Sequence, residues 1–223
     1  MNRRLVSFHS PALLALVLTA ALAPVRAAES KPLRVACVGD SITFGAGVEQ
    51  RDQNNYPKVL GGLLGGKYEV QNFGRSGATL LKQGDLPYWK TKEFEGATAF
   101  QPDIVVIKLG TNDSKPQNWK HKDQFAADAR ALVEHFQAMP SKPKVFVCLP
   151  VPVYQDKWGI NEPVVKGEVI PTLQQVAKDM KLPTIDLYAA LSGKEAMFPD
   201  KIHPNAAGAK VLAETVAKAL AGK

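Results

Sequence analysis

The chain has 223 residues, 45% of them hydrophobic and 22% charged, with a formal net charge of +7 and two cysteines. That composition excludes a low-complexity chain and leaves too few cysteines for a disulfide framework. The lysines stand singly, with no basic run and no aromatic-and-basic stripe, so the positive charge does not mark a nucleic-acid surface.

In chain order, residues 1–27 read first as an export signal. Arg3 and Arg4 precede an apolar run from Pro11 to Ala23, and Val25-Arg26-Ala27 puts small residues at the −3 and −1 positions of a cleavage site. The run is too short to span a bilayer comfortably; an uncleaved anchor is the alternative. Removal of the signal leaves residues 28–223 as one domain, exported to the periplasm or beyond and without stable membrane insertion. Its pattern alternates strand and helix. Strands are expected at 33–38, 68–72, 104–109, 145–149 and 184–187. Helices are expected at 55–64 (Leu60, Leu63 and Leu64 inward), 123–139 (Phe125, Ala129, Leu132, Val133 and Phe136 inward), 164–180 (bent or interrupted near Pro171) and 205–219 (Ala207, Val211, Leu212, Thr215 and Val216 inward). Val105-Val106-Ile107 suggests burial on both faces. This order predicts an α/β fold, a three-layer α/β/α sandwich around a five-stranded parallel sheet. Residues 76–101 form the longest irregular stretch, long enough to carry function and a short helix of its own. With a flavodoxin-like strand order, another strand separates those of Cys37 and Cys148, which are therefore expected to be free buried thiols.

Four short blocks carry candidate chemistry: Gly39-Asp40-Ser41-Ile42-Thr43, Asn72-Phe73-Gly74, Gly110-Thr111-Asn112-Asp113 and Asp200-Lys201-Ile202-His203-Pro204. Each ends a predicted strand or opens a predicted helix, at the carboxyl ends of strands where open α/β sheets bind ligands. Ser41 is the candidate nucleophile, with a helix N-cap as its alternative reading. His203 is the candidate base, and Asp200 lies three residues earlier, where a carboxylate can reach Nδ1 and leave Nε2 toward Ser41. Gly74 can bring a backbone N–H close to substrate or simply make a turn; Asn112 can donate its amide or close an Asx-turn. Ser76 reads as a loop hydroxyl. His121 lies in a lysine-flanked stretch and His135 on a helix face expected to be solvated. No His, Cys and Asp cluster has metal-ligand spacing, so neither metal nor cofactor is expected. Trp119, Tyr154 and Trp158, with Asp40, are the candidate substrate contacts, since aromatic faces beside a serine site suit sugar or aryl rings.

The four blocks in this order resemble those of the SGNH, or GDSL, hydrolase family over about residues 33–221. The resemblance implies the flavodoxin-like fold of that family and a Ser41-His203-Asp200 triad. It also implies an oxyanion hole made of the Ser41 N–H, the Gly74 N–H and Asn112 Nδ2. Gly110-Thr111-Asn112-Asp113 followed by a tryptophan-bearing loop, with Phe198-Pro199-Asp200 and Ile202-His203-Pro204-Asn205 at the end, is similar to bacterial carbohydrate O-acetylesterases and their sialate esterase-like relatives. That implies removal of acetyl or another short acyl group from a glycan or small ester. An arylesterase, thioesterase or lysophospholipase of the same fold, and a catalytically silent glycan-binding module, are the alternatives.

Overall fold

The structure, a computed structural model, describes residues 31–222 together with Met1. Apart from Met1, the expected export signal lies outside the described residues. Among the described residues, β1 (Leu33–Gly39), β2 (Tyr68–Gly74), β3 (Ile104–Lys108), β4 (Lys144–Leu149) and β5 (Thr184–Asp186) form one parallel sheet in the order β2-β1-β3-β4-β5. The helices are α1 (Ser41–Phe44), α2 (Arg51–Asn54), α3 (Tyr56–Leu64), α4 (Lys92–Ala99), α5 (Pro116–Trp119), α6 (Phe125–Gln137), α7 (Glu162–Val164), α8 (Ile170–Asp179), α9 (Leu187–Leu191) and α10 (Ala206–Ala221). Strand order reverses between β1 and β3. Their carboxyl ends therefore flank the crevice in which such sheets bind ligands.

Alternation along the strands feeds two cores. Ala36, Val38, Val105 and Ile107 pack with residues of α6 and α8, whereas Val35, Cys37, Val106 and Phe146 pack with residues of α3 and α10. Both faces are covered, which explains why β3 and β4 read as continuous apolar runs. Each large aliphatic or aromatic side chain removed from water contributes about 1.5–3 kcal/mol. Cys37 and Cys148 are free and buried, with β3 between their strands; burial pushes the Cys37 thiol up to about 12 and the Cys148 thiol higher still.

The helix faces follow the expected spacing best in α6, where Phe125, Ala129, Leu132, Val133 and Phe136 are all buried. Two faces are shifted. Leu63, expected inward, is exposed. Asn205 caps α10 by accepting from the Gly208 N–H at 3.1 Å, so the inward stripe runs Ala209, Leu212, Ala213, Val216 and Leu220, and Ala207 faces solvent. Near Pro171 the expected interruption takes the form of a π-helical turn, Val165–Val169, ahead of α8. Pro171 itself sits in the first turn of α8, directly after the wider π-helical turn that accommodates a residue without an N–H. The stretch 76–101 contains α4.

Candidate active site

Asp40 ends the turn after β1. Its Oδ1 accepts the Ile42 N–H at 3.0 Å and so caps α1. That resolves the ambiguity over Ser41: the cap is the preceding residue, and the Ser41 hydroxyl is left free for other work. Ser41 Oγ lies 2.8 Å from His203 Nε2 across 162 residues of sequence. His203 Nδ1 lies 2.8 Å from Asp200 Oδ2. A carboxylate only accepts, so Nδ1 carries the proton and Nε2 of the neutral ring accepts the serine O–H. Asp200 Oδ1 accepts the N–H groups of Ile202, at 2.9 Å, and His203, at 2.7 Å. Burial pushes the Asp200 carboxyl up, but these backbone bonds and the imidazole together outweigh it, and the group sits below the ordinary carboxylate range.

The loop after β3 supplies Asn112, which is buried with its Nδ2 3.2 Å from the Ala78 carbonyl. One amide proton is spent there and the other is available. The two loops are stitched by Asp113, whose oxygens accept the Leu80 N–H at 3.0 Å and the Leu81 N–H at 2.8 Å. Burial pushes this carboxyl up to about 7 against the pull of those bonds. The stitch holds the Gly77–Ala78 segment beside Asn112. Gly77, at φ +84°, lines the same cavity as Ser41, Asn112 and His203, about 210 Å³ in volume, and no hydrogen bond engages its N–H among the described residues.

Gly74 is not brought to this cavity. Its N–H donates to Asn72 Oδ1 at 2.9 Å, and a Cβ there would meet the Phe44 backbone nitrogen at 2.1 Å. It lines a separate, larger groove of about 450 Å³ with Phe44, Arg51 and Asn72, which neither Ser41 nor His203 reaches. The absent side chain at Gly74 serves packing of α1 on β2. Sequence reasoning overlooked Gly77, whose signal is the second glycine of Gly74-Arg75-Ser76-Gly77. Ser76 is a loop residue that also lines the cavity.

Of the proposed substrate contacts, only Trp158 lines the cavity. Asp40 is wholly buried, with both oxygens bonded to Lys108 Nζ at 3.0 and 3.1 Å. Trp119 is packed edge-on against Phe125 in the core. Tyr154 spends its hydroxyl on the Leu191 carbonyl and the Lys194 N–H, while its own N–H donates to the Lys201 carbonyl and braces the His203 loop. These three are structural because a buried lysine, the core or a backbone partner takes the group that would have faced substrate. His135, expected on a solvated face, is half-buried between α4 and α6, with Nε2 2.9 Å from Thr98 Oγ1, and burial lowers its pKa.

Lys108 went unread in the sequence. It ends β3, is fully buried, and also donates to Thr111 Oγ1 at 2.8 Å. All three ammonium protons have acceptors, and the side chain ties the turn of Ser41 to the loop of Asn112. Its signal was a charge closing the otherwise apolar run Ile104-Val105-Val106-Ile107. Among the described residues, no group of three or more His, Cys, Asp or Glu side chains is placed to hold a metal ion.

An acetylxylan esterase from Xylanibacter ruminicola is 41% identical over 217 residues, which cover 89% of this chain and 45% of that one; the chain thus spans under half the length of that relative. The fold is shared with an aryl esterase from M. smegmatis (TM-score 0.70, 22% identity, 85% of this chain and 99% of that chain). It is shared equally with a carbohydrate acetylesterase from Sinorhizobium meliloti (TM-score 0.69, 21% identity, 85% and 99%). The model of one family, described as GDSL-like lipase/acylhydrolase, matches residues 37–211, which is most of the chain. On that match the chain belongs to the GDSL-like lipase/acylhydrolase family.

Proposed function

We propose that this chain is a carboxylic ester hydrolase that removes acetyl, or another short acyl group, from a carbohydrate through an acyl-enzyme on Ser41. The observation that carries the reading is the continuous relay of 2.8 Å contacts from Ser41 Oγ through the imidazole of His203 to Asp200. His203 Nε2 takes the serine proton as Oγ attacks the ester carbonyl. The developing oxyanion is received by the N–H groups of Ser41 and Gly77 and by Asn112 Nδ2. The first of these belongs to a first-turn residue without an intrahelical acceptor. Such donors contribute about 3 kcal/mol each to lowering the barrier because they are already oriented when charge appears. His203 then protonates the departing alcohol, and water, deprotonated by the same nitrogen, releases the acid. Asp200 holds the imidazole in the required tautomer throughout.

A cavity of about 210 Å³ walled by Ala46 and Ile160 suits a short acyl group. The carbohydrate as alcohol is supported by the acetylxylan esterase relative and by the carbohydrate acetylesterase of the same fold. Residues 1–27 are taken to direct export, which places the enzyme where polymeric glycans are found. The test is a fluorophosphonate label located by mass, together with acetate release from acetylated xylo-oligosaccharides and 4-nitrophenyl esters of rising chain length. Labelling at Ser41 and a preference for acetyl are expected. Labelling that survives Ser41→Ala would refute the nucleophile, and an optimum at eight or more carbons would refute the short acyl group.

A further inference from the structure

Trp158 is the wrong residue for its own turn. Lys157 and Ile160 exchange both backbone hydrogen bonds, at 3.3 and 2.9 Å, and close a two-residue hairpin. The residues between them, Trp158 and Gly159, have φ of 53° and 81°. A hairpin with positive φ at both central positions selects Asn-Gly or Asp-Gly. A bulky side chain at the first position is strained. Burial does not compensate, because Trp158 is 57% exposed. Local stability therefore gives no reason for an indole here, and a broken local rule beside a reactive centre points to function.

The placement indicates which function. The indole centroid lies 5.7 Å from that of the His203 imidazole, with the planes 39° apart. His203 is the group that hands a proton to the departing alcohol, so a ring against it borders the alcohol side of the cavity rather than the acyl side. Lys157 Nζ sits 4.7 Å from the indole centroid, Lys115 forms part of the cavity wall, and the flanking Gln155, Asp156 and Lys157 are exposed. The indole is exposed among charged and polar groups, and once the flexible Lys157 ammonium, which lies over the ring, swings aside to the rim, its face fits a saturated sugar ring. Its axial C–H groups pack on the π surface and its equatorial hydroxyls turn to the ammonium groups and water. An alkyl chain would need an apolar continuation, and the rim beyond Trp158 is polar.

We propose that Trp158 is the platform on which the pyranose ring bearing the ester stacks, setting its oxygen over His203. This rests on the esterase reading above. The test is Trp158→Asn, which suits the turn, alongside Trp158→Phe. Rates are measured on acetylated xylo-oligosaccharides and on ethyl acetate, which has no ring to stack. For Trp158→Asn the melting temperature should rise. The ratio of kcat/KM for oligosaccharide over ethyl acetate should fall about tenfold or more, chiefly through KM, and Trp158→Phe should restore most of it. Equal losses on both esters would mean that the indole acts on His203 and not on the sugar, and would overturn the proposal. An unchanged ratio, or a less stable Asn variant, would overturn it as well. If the parent protein hydrolysed neither ester, the esterase reading itself would fail, a result distinct from all of these.

Discussion

Replacing Lys108 by Met should cost both stability and turnover, by amounts the geometry sets. Both Lys108 and Asp40 are 0% exposed, and the ammonium meets Asp40 Oδ1 at 3.1 Å, Oδ2 at 3.0 Å and Thr111 Oγ1 at 2.8 Å. Met fills nearly the same volume without charge or donors. Asp40 would keep only the Ile42 N–H and become a buried carboxylate with no counter-ion. Removing one partner from a buried pair costs about 3–5 kcal/mol. For a domain of this size that lowers the melting temperature by on the order of 10 °C. Turnover should fall as well, because Asp40 caps the helix that begins at Ser41 and Thr111 immediately precedes Asn112. The expected signature is a loss of kcat of about tenfold with a smaller change in KM, since the strut orients reacting groups and does not touch substrate. Calorimetry and steady-state rates on an aryl acetate measure both. The double variant Asp40→Asn with Lys108→Met isolates the cause: with no charge left to strand, it should be more stable than additivity predicts by at least about 1 kcal/mol. Strict additivity, or a Lys108→Met protein melting within about two degrees of the parent, would refute the reasoning.

Two further outcomes follow from the loops around the cavity. If Asn112 Nδ2 receives the oxyanion as proposed, Asn112→Ala should lower kcat by about 10²–10³ with little change in KM; a loss under about threefold would remove Asn112 from that role. Asp113 gives a pH dependence of definite sign. Burial raises its folded pKa to about 7, above the unfolded value, so its contribution to stability is complete below about pH 4 and is lost as the pH rises through 7. The melting temperature should decline from pH 5 to pH 8, and Asp113→Asn should flatten that slope; an unaltered slope in the variant would assign the dependence to other groups.

Backbone-level features were legible in the sequence because they repeat. The three central strands β1, β3 and β4 are buried, mostly apolar runs, and α6 shows its buried face at regular spacing over 13 residues. The bond between Ser41 and His203 was legible because both residues sit at element boundaries that the parallel topology gathers at one edge of the sheet. What escaped were side chains whose role depends on a single neighbour. Asp40 looked available to substrate because nothing in Gly39-Asp40-Ser41 reveals a lysine arriving 68 residues later from the adjacent strand.

The two glycines of Asn72-Phe73-Gly74-Arg75-Ser76-Gly77 sharpen the point. Both can bring a backbone N–H close to another group, and the first drew attention because it follows the second expected strand. The first, however, still belongs to the strand: Gly74 stands opposite Gly39 in the β1–β2 register, with its N–H spent on Asn72. The chain clears the sheet only afterwards, and Gly77 is the glycine that its positive φ and the Asp113 stitch present to the cavity. Gly74 is held by its strand position and by Asn72, whereas Gly77 keeps an unengaged N–H at the cavity. The same distinction separates Trp158, strained and exposed on its hairpin, from Tyr154 four residues earlier, whose N–H and hydroxyl are both spent on the protein itself.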